Sequence, residues 1–68
     1  MRTRITVEAS DEIIVVRGYG ARDLMRGAGM RPIFSGSAGG WMLDASKLPD
    51  LLAALEHRGV VAEVGERR

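Results

Sequence analysis

Four β-branched residues in a row, Ile13-Ile14-Val15-Val16, restrict this chain more than any other stretch. Such side chains are stiff at χ1 and fit a pleated strand better than a helix. A strand with one wet face alternates; an unbroken apolar run asks for cover on both faces or a central place in a sheet. Residues 12–17 are therefore predicted as an interior strand. The segment ahead of them, residues 3–9, does alternate, with Thr3, Ile5, Val7 and Ala9 against Arg4, Thr6 and Glu8. That period of two marks a half-buried strand. Ser10-Asp11 between the two supplies turn chemistry, so the pair reads as a hairpin with its second strand the more interior.

A chain of 68 residues makes one small domain, close to the size below which a core no longer holds itself together. It contains no cysteine, which excludes disulfide staples and thiolate metal sites and fits a reducing compartment. The longest apolar runs are too short to cross a bilayer, and residues 1–8 lack the pattern of a secretion signal. A cytoplasmic location with no membrane partner is the expectation.

Beyond the hairpin, Gly18-Tyr19-Gly20 breaks the strand and opens a short helix over residues 21–28. Ala21, Leu24, Met25 and Ala28 fall on one face at helical spacing, while Arg22 and Arg26 share another. Gly29 is the expected stop. Residues 30–35 read as a third strand, with Pro32 placing it at an edge or a strand start. A glycine-rich tip, residues 35–40, leads into Trp41, and residues 41–44 form a fourth strand. The lone tryptophan is predicted as the core anchor between both helices, so truncating Trp41 or Leu52 is expected to remove a large part of the stability.

Ser46 is the expected cap of a second helix, in which Leu48, Leu51, Leu52 and Leu55 trace i, i+3, i+4, i+7 and Gly59 ends the run. Residues 60–64 make a last strand, and residues 65–68 a frayed tail. The order is β-β-α-β-β-α-β. The fold class is α+β, a small single layer of mostly antiparallel sheet with two helices on one face.

Ten basic and nine acidic residues leave a net charge of +1, which argues against bulk electrostatic coating of DNA. The distribution is uneven. Residues 13–35 carry Arg17, Arg22, Arg26 and Arg31 against Asp23, whereas residues 36–66 carry Lys47 and Arg58 against five carboxylates. Arginine grips phosphate bidentately and stacks on bases, so Arg17, Tyr19, Arg22, Arg26 and Arg31 are the candidate nucleic-acid-binding residues. The competing reading is a solvated helix face. Gly18-Tyr19-Gly20 before a helix resembles a phosphate-cradling turn, but Asp23 stands where a third glycine is needed and its charge would repel phosphate, which favours a plain turn.

No catalytic constellation is legible. His57 is the sole histidine and sits in a last helical turn, where a cation suits the dipole. It has no second histidine or cysteine with which to hold a metal. Ser35, Ser37 and Ser46 lie in no nucleophile motif. A non-enzymatic binding module without cofactor or metal is expected.

The run from Ile14 through Tyr19, then Leu24, Phe34, a glycine-bearing loop, Trp41 and a leucine-rich helix resembles the HARP domain of annealing helicases over about residues 13–55. Gly39-Gly40 stands where that family has a basic residue before the tryptophan, and these 68 residues contain no ATPase motor. The resemblance implies an auxiliary domain engaging single-stranded or branched DNA. The alternative is a protein-interaction or homodimerisation module that uses β-branched surface and an open sheet edge, with the first strand as the less guarded edge. A weak homo-oligomer is expected on the same grounds.

Overall fold

A computed structural model describes residues 4–66, with side chains described through Gly65. Five strands and two helices form it: β1 (Arg4–Ala9), β2 (Ile13–Arg17), α1 (Ala21–Gly27), β3 (Ile33–Ser35), β4 (Gly40–Asp44), α2 (Leu48–His57) and β5 (Val61–Glu66). The strands make one mixed sheet in the order β3-β4-β2-β1-β5. Three pairings are antiparallel; β1 and β5 run parallel, from Arg4 opposite Val61 to Ala9 opposite Glu66. The α+β class stands as expected, the element order differs from the expected one by a 3-10 turn ahead of α2, and β2 is the central strand that its four β-branched residues require.

Alternation along β2 assigns the two faces. Ile14 and Val16 join Ile5, Val7 and Leu43 beneath the helices, where Ala21, Leu24 and Met25 of α1 and Leu51 and Leu55 of α2 close the core. Ile13, Val15 and Arg17 point to the helix-free face. Val15 is nevertheless fully buried there. A Cβ on Gly40 would lie 2.8 Å from Arg17 Cγ and 2.9 Å from Val15 Cγ1. The bare glycine thus lets the Arg17 stem lie flat beside Val15, and the guanidinium reaches Glu8 of β1.

Both helices end in the same way. Met30 N–H donates to the Met25 carbonyl and Gly29 N–H to that of Arg26; Val60 N–H donates to Leu55 and Gly59 N–H to Glu56. These are paired Schellman caps, with Gly29 and Gly59 at positive φ and an apolar residue folded back behind each. Ser10 closes the first hairpin, its hydroxyl donating to the Ile13 carbonyl at 2.8 Å.

Several expectations are corrected. Ser46 does not cap α2: Asp44 accepts from Ser46 N–H at 2.9 Å and opens a 3-10 turn, Ala45–Lys47, that feeds the helix. The turn arises because Asp44 ends a strand with extended backbone and its short carboxylate reaches two residues on. The third strand is confined to Ile33–Ser35, since Pro32 has no N–H to pair. The fifth runs on through Gly65 and Glu66, which therefore are not a frayed tail; residues 67–68, and Thr3 at the start of the first strand, lie outside the described residues. The first strand is not an edge, because β5 returns parallel to it and leaves β3 and β5 as the two edges. Trp41 is half-buried against the core and not enclosed between the helices, and Leu52 likewise packs only partly.

Candidate nucleic-acid interface

Trp41 lies on the helix-bearing side of β4, opposite Val16 on one flank and Phe34 on the other. Because β3 is an edge of three residues, no strand among the described residues lies outside Phe34, and 57% of it is exposed. The two rings meet edge to face, with centroids 5.2 Å apart and planes at 68°. Arg22 projects from α1 over the indole, its guanidinium carbon 5.7 Å from the ring centroid. That distance is within cation–π range. Arg26 follows four residues later on the same exposed helix face, one turn from Arg22. Arg22 and two aromatic rings thus share one surface at the β3 edge, with Arg26 one turn further along the helix.

The remaining sequence-predicted residues are elsewhere. Arg17 is on the helix-free face, ion-paired with Glu8 and donating to the Ala38 carbonyl at 2.6 Å. It ties the β3–β4 tip to β1. Tyr19 is 92% exposed at the head of α1 and lines a cleft of about 360 Å³ with Asp23 and Arg58. Asp23 thus borders this cleft while its neighbour Arg22 lies over the indole. Arg31 and Lys47 border a cavity of about 490 Å³ floored by Ile13, Ile33 and Met42. Asp44 sits on the same rim, its carboxyl held below the ordinary value by the hydrogen bond from the Ser46 backbone.

Sequence reasoning grouped the arginines by proximity along the chain, and it missed Phe34 and Trp41 as surface residues. The available signal was Pro32: an aromatic two residues past a proline-started strand belongs to an edge, where half of its neighbours are absent. Among the described residues, no group of three or more His, Cys, Asp or Glu side chains could hold a metal ion. No helix there is long and apolar enough to cross a membrane. In comparisons with known proteins, no family model, no curated protein and no solved structure matches the chain.

Proposed function

We propose that the chain is a small non-enzymatic module that binds single-stranded nucleic acid on the Phe34–Trp41–Arg22 surface. Bases stack on the exposed Phe34 ring beside the indole, and Arg22 and Arg26 meet the phosphates. The observation that carries this reading is the arginine held 5.7 Å over a half-buried tryptophan beside a phenylalanine left 57% exposed. Stacking platforms flanked by cations are how strands with free base faces are held, largely without regard to sequence. Phe34 and Trp41 are also among the residues on which the likeness to the HARP domain rests. A cytoplasmic location belongs to the same reading and rests on the cysteine-free composition.

Fluorescence anisotropy of a labelled oligothymidylate tests it. Wild type is expected to bind single strand in preference to duplex, with affinity falling as salt rises. Phe34→Ala is expected to weaken binding by about 1–3 kcal/mol. The Arg22→Ala/Arg26→Ala double variant should lower the slope of log affinity against log salt by about 1.4, the share of two phosphate contacts on a single strand. Equal binding by wild type and both variants would overturn the proposal. A second reading, a protein-interaction module, is supported by the exposed Val61 and Val64 on the outer strand β5.

A further inference from the structure

The two edges of the sheet are built differently. β3 has three residues and follows Pro32, which guards it against further pairing. β5 has six, in unbroken register with β1 and with no proline, bulge or lysine along it. Val61 and Val64 stand on opposite faces of β5, 43% and 52% exposed. The described carboxylate that could repel a partner, Glu63, is matched by Arg4 of β1 at 3.3 Å. Among the described residues, the outer backbone groups of β5 have no strand beside them.

We propose that β5 pairs antiparallel with β5 of a second copy of this chain, joining two five-stranded sheets across a two-fold axis at Val64. Several considerations fix that register. Residues opposed across an antiparallel pair must lie on the same face, so an axis normal to the sheet passes through a residue and not between two. An axis at Glu63 would set Glu63 against its own copy, and like charges directly opposed are destabilising. An axis at Val64 overlaps the same length of strand, residues 62–66, and sets Glu63 opposite Gly65 and position 66 opposite Ala62. It also brings the two exposed Val64 side chains together on the helix-bearing face, beside buried Val7. Main-chain hydrogen bonds supply the contact, and valine against valine supplies the apolar seam. The assembly is isologous and therefore closes as a dimer.

This surface is at the far edge of the sheet from Phe34 and Trp41, so loss of the dimer and loss of nucleic-acid binding are separable outcomes. Sedimentation equilibrium of the full chain, carried into the millimolar range, is expected to reach twice the monomer mass of 7.4 kDa. Val64→Lys and Val64→Pro should return it to the monomer with the circular dichroism spectrum unchanged. The chain has no cysteine, which allows register to be read by single thiols. Val64→Cys should be cross-linked by a short bis-maleimide. Val61→Cys should not, since its copy lies six residues along the pair, about 20 Å away. Association through backbone bonds and valine should survive high salt. A wild type that stays monomeric, a dimer untouched by Val64→Lys, equal cross-linking of both thiol variants, or a dimer that dissociates in high salt would each overturn the proposal.

Discussion

Phe34 and Arg17 show how one residue's neighbours decide its role. Both were legible as residue types, and neither role followed from type. Among the described residues Phe34 has no strand outside it, so a ring that would be core in an interior strand becomes surface. Arg17 occupies the β2 position that faces away from the helices, and Gly40 gives its stem a bed against Val15. Arg17→Ala is therefore expected to lower stability by about 1 kcal/mol, because its ion pair is one-third exposed and screened. Arg22→Ala should leave the chemical-denaturation midpoint nearly unchanged. The opposite ranking of the two variants would contradict the assignment of faces. Gly40→Ala should be worse than either, because its Cβ would also lie 2.9 Å from the Val16 carbonyl oxygen, which cannot swing aside. A drop in thermal midpoint larger than that of Arg17→Ala checks it.

At the level of elements, α2 was the most readable because its apolar stripe and its terminal glycine agree. The stripe did not tell which leucines are fully enclosed. Leu51 and Leu55 are, while Leu52 lies at the margin of the contact. Leu51→Ala is expected to cost about 2–5 kcal/mol and Leu52→Ala distinctly less, by urea denaturation. The N-terminal end was misread because Ser46 and Asp44 are both cap residue types, and only the extended backbone at Asp44 selects between them. The Asp44 carboxyl has its affinity for protons lowered by the Ser46 hydrogen bonds, so folding favours the ionised form. Its contribution is full above the unfolded value and is lost as pH falls through the lowered one. The difference in thermal midpoint between wild type and Asp44→Ala should accordingly be present at neutral pH and close as the pH falls below the ordinary carboxylate range. A difference that stays constant across that range would contradict the cap.

For the whole molecule, the class and, apart from the 3-10 turn, the order of elements could be read from periodicity, whereas the parallel return of β5 to β1 could not. That pairing joins residues 4–9 to residues 61–66, and no local pattern encodes a partner so distant in the chain. It converts the expected edge into an interior strand and moves the open edge to β5. The same topology separates the arginines: a strand, a helix face and a post-helical loop take Arg17, Arg22 with Arg26, and Arg31 in three directions. What remains together is an aromatic pair beside Arg22 at one sheet edge. The chain holds a single tryptophan, so its tryptophan emission, excited selectively over Tyr19, reports on that surface alone. Titrating the protein with unlabelled single-stranded oligothymidylate should quench and shift Trp41 emission saturably, with the same midpoint as the anisotropy curve and less response to duplex. An emission that stays unchanged while the oligonucleotide binds would place the nucleic acid elsewhere and contradict the site.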